Sequence, residues 1–398
     1  MTRLNFPHCN FKALTRFSSI SYFFLSLLGF QLLSACSTEQ PQIKADASLH
    51  FLVKTIGPSV NIRSLTADGE LLAITDDDRW RDLDASYAPN GDLVFLSNRK
   101  KNHKITLKKH KETYDLFRIK AGQTDIEQLT QQQGTELAPQ YSPNGEWISY
   151  ILKEKQHNTF MLMPANGDKS KHLLSNKVVS NYNWAPDGES IYVAHYSDTA
   201  AYVSQIDLAS GQVAHLIEST LTEPTPDYAP NDQDPVMKRF DYLKVSPDGE
   251  QLAYIRNPFH QGIRQLRVLN LKTEIDTLIS KDNTHAQDGV SWSTDSRELL
   301  FSALVDYKFY YDEQAQRKVY EGGMHIFRAT PKGEARQITQ GDHLFRLPTF
   351  SPDNTRIAYF YSDLLAAREY SLKAMNADGS KTETLAEKIS PASGLSWN

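Results

Sequence analysis

Cysteine is almost missing from this sequence: its 398 residues hold two, Cys9 and Cys36. No C-x-x-C pair occurs, which excludes that kind of thiolate metal or dithiol redox motif, and the residues after Cys36 can form no internal disulfide. No G-x-S-x-G nucleophile elbow and no H-E-x-x-H zinc motif occurs either. Positive charge is not in excess, with 43 Lys and Arg against 48 Asp and Glu and a formal charge of −5, which argues against a nucleic-acid binder. Long apolar runs are missing too. The stretch "ISYFFLSLLGFQLL" (20–33) is too short, and too closely followed by small residues, for a membrane span.

What is present begins with a targeting pattern. Residues 1–17 carry Arg3, Lys12 and Arg16 and no acid, and the apolar stretch follows. Leu33-Ser34-Ala35-Cys36 then resembles the bacterial lipobox, which signal peptidase II cuts before the cysteine. That resemblance implies a signal peptide over 1–35, a lipid on Cys36, and anchoring to a membrane by acyl chains without a transmembrane helix. Ser37 in place of Asp implies the outer membrane, by the enterobacterial sorting rule. The plainer alternative is an ordinary signal peptide with an incidental cysteine. Loss of residues 1–35 removes three cations and moves the formal charge from −5 to −8. Residues 36–48 are polar, without an apolar period, and read as a lipidated tether. The expected location is the periplasmic side of a bacterial envelope.

From residue 49 onward the chain repeats itself. "YAPNGDLVFLSN" (87–98), "YSPNGEWISYIL" (141–152), "WAPDGESIYVAH" (184–195), "VSPDGEQLAYIR" (245–256), "WSTDSRELLFSA" (292–303) and "FSPDNTRIAYFY" (350–361) align. Pro sets φ for a turn, Asp or Asn tolerates the left-handed region, and Gly takes positive φ. The alternating stretch after each turn predicts a strand. A third strand follows in each unit, as in "YDLFRIKAG" (114–122), and a fourth, as in "DIEQLTQ" (125–131). Four antiparallel strands at intervals of 43 to 61 residues predict propeller blades.

The ends complete the pattern. "LHFLVKT" (49–55), "VNIRSLTADG" (60–69) and "ELLAITDD" (70–77) match the second, third and fourth strands of a unit that lacks its first. "GLSWN" at the other end supplies a first strand and nothing else, with Trp397 at the place of Trp292. The two ends are therefore expected to share one blade, which removes open sheet edges. The fold class is all-β: a seven-bladed propeller over 49–398, closed by a blade shared between the termini, with a six-bladed ring and stray ends as the alternative.

The aromatic-S-P-D-G…I-A-Y repeat resembles the TolB-type, WD-like propeller family, best in "RWRDLDASYAPNGDLVFLSNR" (79–99) and "APQYSPNGEWISYI" (138–151). The resemblance covers most of 49–398 and implies a disc with a central channel, used as a periplasmic scaffold or as the propeller half of a peptidase. The chain departs from TolB, which carries a separate α/β domain, so the fold transfers and the activity does not follow.

In such a disc the long insertions fall on one face. The first, "SNRKKNHKITLKKHKETYD" (97–115), includes Lys100, Lys101, Lys108 and Lys109, a positive patch suited to anionic lipid or an acidic partner, or simply a solvated hairpin. The second, "LVDYKFYYDEQAQRKVYEGG" (304–323), offers Tyr307, Phe309, Tyr310 and Tyr311 for a protein or sugar, or for packing on its neighbour. The third, the Pro-rich and acidic link 220–241, reads as a lid or as a long connection. Asp82, Asp84, Glu136, Asn181, Asp241, Asp288 and Arg346 precede the first strands and are expected around the channel mouth. They could bind Ca²⁺ or another divalent cation, bind a basic peptide end, or only cap backbone amides. His285, Asp288 and His343 are the candidate metal ligands, by analogy with propeller lyases. No other cofactor and no catalytic residue is predicted. The expected function is a lipid-anchored, non-catalytic scaffold that binds a protein or peptide partner. The alternatives are a carbohydrate-active or metal-dependent, lyase-like propeller enzyme and the propeller partner of a peptidase.

Overall fold

The computed structural model describes residues 49–54, 59–99, 113–131, 133–154, 158–174, 178–197, 199–220, 239–257, 264–280, 284–363, 365, 369–390 and 394–397. All lie within one compact unit, Pro41–Asn398. Every regular element among them is a strand. Three strands come first: β1 (Leu49–Lys54), β2 (Val60–Leu65) and β3 (Leu71–Ala73). Four-stranded antiparallel modules follow. They are β4–β7 (Asp82–Tyr87, Leu93–Ser97, Asp115–Ile119, Ile126–Gln128) and β8–β11 (Thr135–Tyr141, Trp147–Lys153, Asn158–Pro164, Lys171–Leu174). Next come β12–β15 (Val178–Trp184, Ser190–Tyr196, Ala200–Asp207, Val213–Thr220) and β16–β19 (Arg239–Val245, Gln251–Asn257, Gln265–Asn270, Asp276–Leu278). The last are β20–β23 (Thr284–Trp292, Leu299–Asp312, Arg317–Ala329, Ala335–Gln337) and β24–β27 (Leu344–Phe350, Arg356–Ser362, Tyr370–Asn376, Glu383–Ile389), after which β28 (Ser396–Trp397) stands alone in sequence.

Turn chemistry starts each module. Ser142 Oγ donates to Asn144 Oδ1 at 2.6 Å and accepts the amide of Trp147 at 3.0 Å. Ser351 repeats this with Asp353 and the amide of Arg356. One serine thus satisfies both sides of a tight turn that would otherwise leave polar groups unmatched. Where Gly is replaced, Ser296 (φ 60°) and Asn354 (φ 58°) take the left-handed conformation in its stead, so the fifth and sixth turns form as expected.

Alternation then places apolar side chains between modules. Val94, Leu96 and Leu116 pack on Ile148, Tyr150 and Met161 of the next module. Ile151, Phe160 and Leu162 pack in turn on Tyr182, Trp184 and Ile191. Leu52, Val60 and Ile62 pack on Leu93, Phe95 and Phe117. Each such side chain contributes about 1.5–3 kcal/mol of burial, so the core is a succession of inter-module layers.

The termini meet as expected. β28 pairs antiparallel with β1, Leu49 opposite Trp397 and His50 opposite Ser396, so its residues adjoin the sheet β1–β2–β3. Trp397 lies partly buried against the cluster that holds Phe51, Leu65, Leu344 and Phe360. β1 also reaches β27, with Val53 opposite Ile389. The first sheet is thereby built from both ends of the chain.

His50 sits in this seam, buried, its ring stacked on Tyr87 at 3.9 Å between centroids. Burial disfavours its cation and lowers its pKa to about 4. The unfolded chain, with an ordinary histidine near 6.5, binds the extra proton between those values. Stability is therefore fully present above about pH 6.5 and declines as pH falls towards 4. Urea unfolding should show about 2–3 kcal/mol lost over that window, and the loss should be absent from His50→Phe. An unchanged pH dependence in the variant would contradict the assignment.

Candidate functional site

The first strand of each module, β4, β8, β12, β16, β20 or β24, has a sheet partner on one side only within its module. These innermost strands carry a shared irregularity. Register shifts lie between Leu83 and Ser86, Leu137 and Gln140, Val179 and Asn181, Asp241 and Lys244, Asp288 and Ser291, and Arg346 and Thr349. Within five of these bulges one residue has positive φ: Asp84, Ala138, Tyr242, Gly289 and Leu347, between 49° and 74°. Such bulges bend and twist a strand and re-aim its side chains. At Gly289 a side chain is also sterically barred, because a Cβ would meet Pro348 and come within 2.6 Å of Leu347 Cα.

The open side of these strands is satisfied by polar side chains from the preceding module. Ser86 Oγ accepts the amide of Tyr141 at 3.1 Å. Asn181 and Asn183 accept those of Leu243 and Val245 at 2.8 and 2.9 Å, and Ser291 accepts that of Phe350 at 3.4 Å. The Asp84 carboxylate takes the amide of Ala138, while burial raises its pKa.

The residues expected around a channel mouth are therefore within the innermost strands, not in the links before them, and most are engaged. Asp82 is fully buried and accepts two bonds from Arg99 Nη2, at 2.7 and 2.8 Å. Glu136 is fully buried in β8. Asn181 and Asp84 serve as amide acceptors, the capping role that the sequence left open as an alternative. Asp241, Asp288 and Arg346 come together across β16, β20 and β24. Arg346 donates to Asp288 Oδ2 through Nε (3.0 Å) and Nη2 (2.5 Å), and its Nη1 reaches Tyr370 Oη at 3.3 Å. The charges of Asp241, Asp288, Arg264 and Arg346 all act on the Tyr242 phenol, whose pKa is raised chiefly by burial. Asp288 Oδ1 is buried and accepts no hydrogen bond among the described residues.

Tyr242, Arg264 and Tyr370 were not singled out by sequence reasoning. Tyr242 becomes legible once the bulge positions of the six strands are aligned, and Arg264 and Tyr370 only through the folded contacts.

His285, Asp288 and His343 are not assembled as a metal site: among the described residues no group of three or more His, Cys, Asp or Glu is placed to hold an ion. Arg346 occupies Asp288, and the His343 ring packs against Tyr361 at 5.6 Å and Phe345 at 6.3 Å. The β21–β22 hairpin is long, its outer part paired from Lys308 opposite Glu321 to Asp312 opposite Arg317. Tyr307, Tyr310 and Tyr311 are exposed on it by 36%, 46% and 52%, and Phe309 pairs through its backbone with Tyr320. Tyr310 donates to Glu321 at 2.9 Å. Cys36, Lys100, Lys101, Lys108, Lys109 and most of the Pro-rich link lie outside the described residues. Among those described, no helix is long and apolar enough to cross a membrane.

No protein-family model matches the chain. It is 25% identical over 176 residues, 42% of its length, to dipeptidyl-peptidase 5 of Porphyromonas gingivalis, and the match spans 21% of that protein. Among solved structures, a prolyl endopeptidase aligns with 87% of this chain and 50% of its own, at 11% identity and a TM-score of 0.58. Oligogalacturonate lyase in complex with manganese aligns with 86% of each chain, at 11% identity and 0.56. TolB from Acinetobacter baumannii aligns with 86% of this chain and 81% of its own, at 13% identity and 0.46. At these identities the likeness concerns the fold, which is all-β and propeller-like.

The Asp288–Arg346 pair supplies a direct check. Arg346→Met leaves a buried carboxylate without its cation and should cost about 3 kcal/mol in urea unfolding, with part recovered in Asp288→Asn/Arg346→Met. Additive losses in the double variant would show that the two side chains do not depend on each other.

Proposed function

We propose that the chain is a seven-bladed propeller, held at the periplasmic side of a bacterial outer membrane by lipid on Cys36, that binds a protein or peptide through the face bearing its long loops. The observation that carries the binding reading is the β21–β22 hairpin. It projects three exposed tyrosines from a paired, and therefore preorganised, two-stranded arm. Tyrosines of this kind give large contact area with little side-chain entropy to lose. Blade number rests on the pairing of β28 with β1, and anchoring on the lipobox-like residues 33–36.

A second reading, the propeller half of a peptidase assembly, is favoured by the partial likeness to dipeptidyl-peptidase 5. One experiment separates the two. A photo-crosslinking amino acid at position 311 should capture a discrete envelope partner in living cells, and the same probe at position 380, in the opposite turns, should not. An adduct that carries an active-site serine label supports the second reading. Equal capture at both positions, or none at 311, would refute a binding role for the hairpin.

A further inference from the structure

We infer that the groove between the modules β16–β19 and β20–β23 is a binding site for an arginine side chain presented by a partner polypeptide. The groove has a volume of about 650 Å³ and is lined by the tight turns of both modules and by β18 and β19. The other junctions between four-stranded modules show how such a space is closed. Arg118, Leu162, Gln205, Val268 and Arg328 hold equivalent places in their third strands. Each is followed, across the junction, by the second residue of the next module's last turn: Ala165, Leu208, Leu271, Pro331 and Ala377. Where that residue is Ala, an arginine reaches forward to it. Arg118 Nη1 donates to the Ala165 carbonyl and Nη2 to Glu127 at 2.8 Å. Arg328 Nη1 donates to the Ala377 carbonyl at 2.9 Å and Nε to Glu298 at 2.8 Å. Where it is Leu, the leucine reaches back, and Leu208 and Leu271 pack on the layers that hold Leu162 and Tyr192. Val268 with Pro331 offers neither solution, and the groove stays open. The two junctions of the first sheet hold small residues in both places, Ala374 with Ala67 and Ser64 with Ala121, so the Val268 junction is marked by its volume and its lining.

That lining is short of donors. The amides of Ala165, Leu208, Leu271 and Ala377 donate to the carbonyls of Glu146, Glu189, Glu250 and Thr355 at 2.8 to 3.0 Å. Pro331 has no N–H, so the Arg297 carbonyl in the equivalent place lacks this partner. Thr330 Oγ1, also in the groove, is buried and has no hydrogen-bond partner among the described residues. Three carboxylates line the groove, Asp248, Asp295 and Glu334, against two cations, Arg297 and Lys332. Arg297 does not fill the space itself, since its side chain is 84% exposed. A guanidinium brings five N–H donors and no acceptor, and it pairs with carbonyls and carboxylates in one plane, as Arg118 and Arg328 do. The groove is built from turns and not from the outer β21–β22 hairpin, so either site can fail without the other.

The test uses the full chain with ¹³C-labelled threonine methyl groups, and Thr330→Val to assign the Thr330 signal. A capped Gly-Arg-Gly peptide should move that signal saturably. Peptides with citrulline or lysine in place of the arginine should bind at least tenfold more weakly, since one lacks the charge and the other the planar fork. Pro331→Leu, which copies Leu208 and Leu271, should close the groove and weaken the arginine peptide at least tenfold, with no fall in the thermal midpoint. A Thr330 signal that the arginine peptide leaves in place, equal binding of the citrulline peptide, or undiminished binding to a folded Pro331→Leu would overturn the proposal.

Discussion

Backbone amides on the open side of an innermost strand have no sheet partner, and each one buried unmatched costs about 1–3 kcal/mol. The rest of this structure follows from how that side is satisfied. Ser86, Asn181, Asn183 and Ser291 reach from one module to the amides of the next, so the modules are joined by polar contacts where they crowd together. Outside that line they are joined by apolar layers such as Leu96 with Tyr150, or Ile62 with Phe95. The pairing of Leu49 with Trp397 does for the ends of the chain what those side chains do between modules.

Bulges are the backbone's part of the same solution. Asp84, Ala138, Tyr242 and Leu347 adopt left-handed φ at a cost of roughly 1–2 kcal/mol each, and the tight packing of neighbouring strands compensates. The bulge also brings Tyr242 into the electrostatic reach of Asp241, Asp288, Arg264 and Arg346, which assembles a mixed-charge cluster from three modules. A site of this kind is made by the strand geometry and has no local motif of its own.

That difference explains what was legible in the sequence. The Ser-Pro-Asp-Gly turns and the period-2 stretches are local, so the order of strands and the meeting of "GLSWN" with "LHFLVKT" could be read directly. Charge placement could not. Residues expected before the first strands, around a channel mouth, find partners that no local pattern shows: Asp82 is closed by Arg99 and Asp288 by Arg346, 17 and 58 residues away. The left-handed positions are filled by Asp, Ala, Tyr, Gly and Leu, which share no chemistry, and only Gly289 advertises itself.

The long hairpin and the Asp288–Arg346 cluster are both held by strands paired elsewhere in the fold. All of it depends on the two ends of the chain sharing one sheet. The most direct test is a disulfide between His50→Cys and Ser396→Cys, in a chain whose Cys9 and Cys36 are replaced by Ser. These positions face each other across an antiparallel pair, within disulfide reach. The account predicts near-complete bond formation under mild oxidation and a stability gain of about 2–4 kcal/mol over the reduced form. A pair that stays reduced, or that oxidises only with loss of the fold, would contradict it.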